Sequence, residues 1–253
     1  MEGAYPILEF DPAREAIIEP GHAIAPIDIP ERCVLCFFQE VIEAICGDGQ
    51  AKIVHHLASE MGHSPIYALE VDGRSLAVTH PGVGAPLAAA ILEGLIARGC
   101  RQFIACGGAG VLDRQIAVGQ VIVPTSAVRD EGTSYHYLPP GREVAASPAG
   151  IAAIEAALQA GHVDYRLGKT WTTDGVYRET PARIARRRAE GCLTVEMEAA
   201  AFFAVAQFRG VTFAQLLYGG DDVSGQAWDT RDWDRHAGRE KLFWLAVEAC
   251  LRL

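Results

Sequence analysis

Short apolar runs alternating with helix-patterned segments constrain this chain more than any other feature. Residues 32–38 form such a run, as do 103–106, which end at Gly107-Gly108-Ala109-Gly110, and 211–218, which end at Gly219-Gly220. Runs this short read as buried strands. Between them lie helical patterns at 39–46, 87–98 and 197–209, the last two stopped by Gly99 and Gly210, and a final helix at about 236–251 carrying Leu242, Leu245 and Val247 with Phe243 or Trp244. A glycine just past a helix end takes the left-handed conformation at little cost. Ser147-Pro148 opens another helix with a capping hydroxyl and proline at the first position, and Gly161 closes it. Residues 66–71 and 75–79 read as strands joined by the hairpin signal Asp72-Gly73, with further strands at 120–124 and 168–173. This alternation predicts a layered α/β fold. Residues 1–31, rich in proline and acids, read as a leading arm. No repeat, low-complexity tract or linker interrupts the rest, so 253 residues form one domain.

Charge narrows the function. The chain has 22 basic and 32 acidic residues, a formal net charge of −10, which leaves no basic footprint for a nucleic acid. The one basic cluster, Arg183-Ile184-Ala185-Arg186-Arg187-Arg188, reads as a solvated helix face. No apolar stretch approaches the length of a membrane span, and the N-terminus lacks the basic start and apolar run of a signal peptide. Seven cysteines are scattered through apolar surroundings. Cys33 and Cys36 form a CxxC, but no second pair or histidines at ligand spacing accompany it, so no metal site is expected. Buried free thiols in a reducing cytoplasm are the expectation.

Ligands of open α/β sheets bind beyond the carboxyl ends of strands, and three segments there carry unusual chemistry. Gly107-Gly108-Ala109-Gly110 reads as a loop whose backbone amides can crowd around an anion or a sugar, or as a tight turn without a ligand. Gly219-Gly220-Asp221-Asp222 places two acids past a buried strand. Desolvation and a like-charged neighbour would hold one of them protonated as a proton donor, and the alternative is a turn with a capping aspartate. In Glu196-Met197-Glu198 two acids flank a methionine at a helix start. They share a face if the backbone is still extended there and diverge if it is helical, and solvated acids at a positive helix end are the alternative.

Together, and in order, these segments resemble the nucleoside phosphorylase/nucleosidase superfamily, in particular its uridine-phosphorylase-like branch. The likeness runs roughly over 75–225. It includes Pro81-Gly82-Val83-Gly84-Ala85-Pro86, the stretch Arg129-Asp130-Glu131-Gly132-Thr133-Ser134-Tyr135-His136-Tyr137-Leu138-Pro139, Thr172-Thr173-Asp174-Gly175-Val176-Tyr177-Arg178-Glu179-Thr180 and Val195-Glu196-Met197-Glu198-Ala199-Ala200. The resemblance implies a three-layer αβα fold around a mixed, partly barrel-like sheet, and cleavage of the N-glycosidic bond of a small-molecule nucleoside without a resident cofactor. It places Glu198 on the ribose hydroxyls, Met197 against the sugar, Asp221 at the departing base with Asp222 as runner-up, and Val176 and Tyr177 in the base pocket. Such chemistry is general acid catalysis with stabilisation of an oxocarbenium-like state.

The departures are equally specific. Where family phosphorylases carry Gly-Asp-Pro-x-Arg to grip phosphate, this chain has Cys36-Phe37-Phe38-Gln39-Glu40. The second phosphate arginine is replaced by Ala105, and Gly108 stands for a hydroxyl residue. A phosphate dianion with so few charged partners binds weakly. In related nucleosidases a glutamate at the position of Glu40 helps activate water, so hydrolysis is expected over phosphorolysis. Inorganic phosphate is the alternative co-substrate, and a helix-opening residue the alternative role of Glu40. The Gln–Arg pair that reads uracil is missing from Arg178-Glu179-Thr180-Pro181, leaving Arg178 as a substitute donor or a surface ion pair. A silent nucleoside-binding homologue is a competing reading, whereas a dinucleotide-binding oxidoreductase lacks its glycine spacing. The family assembles as homodimers or homohexamers, with the arm near Tyr5 to Phe10 and the segment 135–138 as candidate contacts.

Overall fold

The computed structural model describes residues 5–47, 49–60, 62–231 and 235–253. After the arm, which holds only a 3-10 turn (Pro6–Leu8) and the short helix α1 (Pro20–Ala23), the chain runs β1 (Arg32–Cys36), α2 (Gln39–Cys46), β2 (Lys52–Ser59), β3 (Gly62–Val71), β4 (Arg74–Thr79), α3 (Ala85–Arg98), β5 (Gln102–Val111) and β6 (Val121–Asp130). It continues through β7 (Glu143–Ala145), α4 (Pro148–Ala160), β8 (Tyr165–Thr173), α5 (Pro181–Ala189), β9 (Cys192–Glu196), α6 (Ala199–Arg209), β10 (Thr212–Asp222) and α7 (Arg235–Leu251).

One mixed sheet carries the order β10-β6-β8-β9-β5-β1-β4-β3-β2, with β7 paired to β6. Because β10 also pairs with β5, the strands β5, β9, β8, β6 and β10 close into a five-stranded barrel, and β1, β4, β3 and β2 extend from it as an open wing. Alternation along the parallel strands sorts side chains to two faces. Val34, Cys36, Ile104, Cys106 and Leu216 join the core beneath α4 and α7, whereas Cys33, Leu35, Phe103, Ala105 and Phe213 join the core beneath α3 and α6. Cys33 and Cys36 therefore belong to opposite cores and cannot share a ligand, and all seven cysteines are buried and free. Among the described residues no helix is long and apolar enough to cross a membrane.

Several expectations are sharpened. The β3–β4 hairpin turns at Asp72 and Gly73, with φ of 51° and 71°, as a two-residue turn with two positive φ requires. In α7, Leu242, Phe243 and Val247 are buried while Trp244 stays exposed. Strands β2, β7 and β9 were not anticipated, and α5 was read only as a helix face at its arginine cluster. β2 is mostly exposed, and β9 is only five residues long. The two glycine-rich segments expected as loops lie inside β5 and β10, because barrel closure pairs Gly107 with Leu217 and Gly108 with Tyr218. Ser147 does not cap α4 with its side chain; its Oγ accepts the Phe213 N–H at 2.9 Å and ties the helix start to β10. The arginine cluster is only half solvated. Arg187 is buried, Arg183 and Arg187 both bond Asp130, and their guanidiniums lie 5.5 and 5.6 Å from the Trp171 ring centroid.

Trp171 is fully buried, and its indole N–H donates to Asp130 Oδ2 at 2.9 Å. Truncating it empties a core cluster and removes the surface on which α5 docks. Trp171→Ala is expected to lose about 3–5 kcal/mol of unfolding free energy in urea denaturation, and a loss below about 1 kcal/mol would contradict this packing.

Candidate active site

Along one edge of β5 the partner changes. β1 pairs with it from Gln102 to Cys106, and β9 takes over at Gly110 and Val111. β1 and β9 diverge between those points and leave the edge of Gly107–Ala109 without a strand, at the kind of switch point where α/β sheets bind ligands. A cavity of about 280 Å³ opens there, lined by Gly108, Ala109 and Gly110, the ends of β9 and β10, the turn after β8 and the segment that follows β10. That volume is near the lower end, roughly 300 Å³, of small-molecule sites. The glycines are required by close neighbours. A Cβ on Gly108 would stand 2.8 Å from Tyr218 Cζ, and one on Gly107 would stand 3.0 Å from Phe37 Cδ2.

Glu196 and Met197 form one wall. Glu196 ends β9, and α6 starts at Ala199, so the two glutamates diverge. Glu196 Oε2 accepts the N–H groups of Glu198 and Ala199 at 2.7 Å each, and its Oε1 accepts the Thr172 hydroxyl at 2.7 Å. It thus caps the positive end of α6 while facing the cavity. Glu198 lies behind Met197, where Oε1 accepts the Gly84 N–H at 2.6 Å and does not line the cavity. Gly84, at φ of 92°, opens α3, which explains the glycine of the segment 81–86. Burial and the charge of Glu196 push the Glu198 carboxyl up to about 8, against the pull of the Gly84 and Met197 amides. Burial also raises Glu196, but its three donors favour its ionised form, so the shared proton resides on Glu198.

Asp221, Val176, Glu179 and Trp228 also line the cavity. Asp221 Oδ2 accepts the Trp228 indole N–H at 2.7 Å. The adjacent carboxylate turns away: Asp222 is 2% exposed and paired with Arg231 and Arg114. Burial would raise its pKa, but hydrogen bonds from Ser224 and the Arg231 charge hold it below the usual carboxylate range. Geometry thus separates a cavity-facing Asp221 from a structural Asp222. Tyr177 is 96% exposed and Arg178 is exposed; neither lines the cavity. Glu179, partly buried beside Asp221, is pushed up to about 7 by desolvation and the Asp221 charge, with Arg183 opposing. Sequence reading missed Glu179, Tyr218 and Trp228 as lining residues. Trp228 had no local signal, because it reaches Asp221 only when the Asp222–Asp229 bridge folds the following segment back on β10.

Glu40 stands outside the cavity lining. It pairs with Arg239, whose guanidinium also donates to the Tyr218 hydroxyl at 3.2 Å and lies 5.1 Å from the Phe38 ring centroid. Through Tyr218 this pair touches the cavity wall. Ala105 is fully buried under α3 and α6, and the Phe37 ring covers Gly107 and stacks edge-on with His80. The described lining holds three carboxylates, Glu179, Glu196 and Asp221, and no lysine or arginine.

A carboxyl whose folded-state pKa stands at about 8 against an ordinary 4.5 gives the native state an extra bound proton between those values. The stabilisation it contributes is complete below pH 4.5 and is lost as pH rises through about 8. Glu198→Gln is therefore expected to flatten the decline of stability between pH 5 and 9 and to be on the order of 2–3 kcal/mol more stable than the parent at pH 9, read by urea denaturation. Parallel curves for the two proteins would show that Glu198 does not hold that proton.

Comparison with known proteins agrees with this architecture. The family model described as the phosphorylase superfamily matches residues 31–249. A guanosine phosphorylase of Halorubrum lacusprofundi is 27% identical over 170 residues, covering 67% of this chain and 68% of that protein. A uridine phosphorylase of Salmonella typhimurium is 28% identical over 156 residues, 56% of this chain, and the chain spans 62% of its length. Among solved structures, a purine nucleoside phosphorylase from Toxoplasma gondii superposes with a TM-score of 0.77 at 20% identity, over 89% of this chain and 92% of that one. An AMP nucleosidase from Bacteroides thetaiotaomicron superposes at 0.71 and 24% identity, over 88% and 87%. These likenesses, on a barrel-and-wing sheet with its cavity at the β5 switch point, show that the chain belongs to the phosphorylase superfamily of nucleoside phosphorylases and nucleosidases.

Proposed function

We propose that this protein hydrolyses the N-glycosidic bond of a nucleoside. The supporting observation is the described cavity lining, three carboxylates without a cationic side chain. As the bond to the base breaks, positive charge develops on the ribosyl ring, and acids held in a water-poor site stabilise it more than they stabilise the neutral substrate. A phosphate dianion would meet the opposite field, and Phe37 covers the glycine beside which family phosphorylases grip it. Asp221, oriented by the Trp228 N–H, stands at the leaving base and passes to it the proton that Glu179 beside it takes up near neutrality. Met197 packs on the sugar and Glu196 faces it, while Glu198, behind Met197, holds the Gly84 amide at the start of α3. Water adds to the anomeric carbon and its proton restores the Glu179–Asp221 pair. Glu40 acts at one remove, as a positioning residue that holds Arg239 against Tyr218.

A second reading, phosphorolysis, is favoured by one observation: Arg239 bonds the Tyr218 hydroxyl at the cavity wall. Released from Glu40, that guanidinium could hold an anion. Matched relatives are named as phosphorylases of guanosine and of uridine, and a structural neighbour as an AMP nucleosidase, so the family accommodates either acceptor and several bases. A homodimer or homohexamer suits the arm, where Ile17 and Ile18 are 106% and 81% exposed, and a reducing cytoplasm suits seven free thiols.

Base release from a nucleoside panel, followed with phosphate, arsenate and neither, decides the acceptor. Release is expected to proceed without phosphate, with free ribose as co-product; strict phosphate dependence would overturn hydrolysis in favour of the Arg239 reading. Asp221→Asn is expected to lower kcat by roughly 10²- to 10⁴-fold, whereas an unchanged kcat would remove Asp221 from the mechanism.

A further inference from the structure

Two polar groups reach one face of β5 at different heights. Gly108 and Gly110 alternate along the strand and so share a face. The phenol end of Tyr218 lies over the first, where an added Cβ would stand 2.9 Å from its Oη; the Asp221 carboxylate lies over the second, where Oδ2 would stand 3.7 Å away. Two residues of strand separate the two points by roughly 7 Å. A gap of that size leaves room for an attacking water between a proton donor and a second polar group, as in inverting glycoside hydrolysis. Tyr218 and Thr230 supply the hydroxyls of the described lining, and of these Tyr218 is 6% exposed while Thr230 faces solvent.

Behind the phenol, α7 meets α2. Arg239 Nε donates to Tyr218 Oη at 3.2 Å, its Nη1 pairs with Glu40, and its guanidinium lies 5.1 Å from the Phe38 ring centroid. The Phe38 ring also packs on the Tyr218 ring at 5.7 Å between centroids. A guanidinium has no acceptor, so the phenol oxygen accepts from it and keeps its own hydrogen to donate. The Glu40 carboxylate offsets the Arg239 charge, and this end of the cavity presents a neutral hydroxyl rather than a cation.

We infer that Tyr218 is the acceptor-selecting residue of this site, its hydroxyl holding a neutral O–H acceptor, water, over Gly108. The inference rests on the reading of the cavity as a hydrolytic one. A ribosyl ring that is already cationic needs its acceptor placed rather than strongly activated. The water oxygen bonds to the anomeric carbon as the C–N bond breaks, and the proton it sheds returns to the Glu179–Asp221 carboxylates that gave one to the base. An anionic acceptor would find Arg239 already paired and the Tyr218 ring filling the space over Gly108.

The test follows free sugar and sugar phosphate released by the parent, Tyr218→Phe and Glu40→Gln, with and without phosphate, and with methanol as a competing acceptor that yields the methyl riboside. Tyr218→Phe keeps the ring on Gly108 and Phe38 and removes only the hydroxyl. It is expected to lower kcat roughly 10- to 100-fold at unchanged KM, and to raise the share of methyl riboside, which a merely structural loss would not move. Glu40→Gln releases Arg239 and is expected to let phosphate accelerate base release and appear in the sugar product. Parental kcat and product ratio in Tyr218→Phe overturn the assignment and leave hydrolysis standing. Indifference of Glu40→Gln to phosphate overturns it too, even if Tyr218→Phe fails to fold. Strict phosphate dependence of the parent, or no base release from any nucleoside, overturns the hydrolytic reading itself and the water assignment with it.

Discussion

Strand β5 has more neighbours than a strand has edges, and the site follows from how that is resolved. β10 runs along one edge, while the other is shared in sequence by β1 and β9. The stretch between the two partners must have no bulk on it, because Tyr218 lies on Gly108 and Phe37 on Gly107. Any side chain at Gly108 would displace the tyrosine that closes the barrel wall. The glycine run is thus a packing requirement first, and the cavity is the space left where β1 and β9 part.

The electrostatics of the cavity follow from that opening. Glu196 arrives at the end of β9 with its carboxylate spent on the α6 amides and Thr172, which fixes the helix start and points Met197 inward. Glu198, forced to the Gly84 amide, cannot escape the field of Glu196 and takes up a proton. Glu179, desolvated beside Asp221, is likewise pushed up, to about 7. Acids gathered in this way favour a ligand that develops positive charge. On the hydrolytic reading proposed above, the same field that suits a ribosyl cation disfavours a phosphate dianion.

Much of this was legible along the chain. Short apolar runs gave the parallel strands, Asp72-Gly73 the hairpin, and Gly99, Gly161 and Gly210 the helix ends. These are local signals, set by backbone sterics and by the period of side-chain burial. The motifs around Met197 and Asp221 also carried the superfamily resemblance, and both residues do line one cavity. Misread segments share a cause. Gly107–Gly110 and Gly219–Asp222 look like loops because glycine is a poor strand former, and only the pairing of β5 with β10 and β9 makes them strands. Arg187 looks solvated until Trp171 and Asp130 come beneath it.

The sequence by itself therefore determined the α/β class, the element order and the residue types of the site, because burial period, glycine conformations and acid spacing are properties of neighbouring residues. Tertiary structure alone decided that the sheet closes into a barrel, that Asp221 faces the cavity while Asp222 turns to Arg231, that Glu40 is bound to Arg239, and that Glu179 and Trp228 line the cavity. Each of those outcomes depends on groups distant in the chain meeting at one point, and no local pattern encodes which of two adjacent carboxylates will be met by a guanidinium.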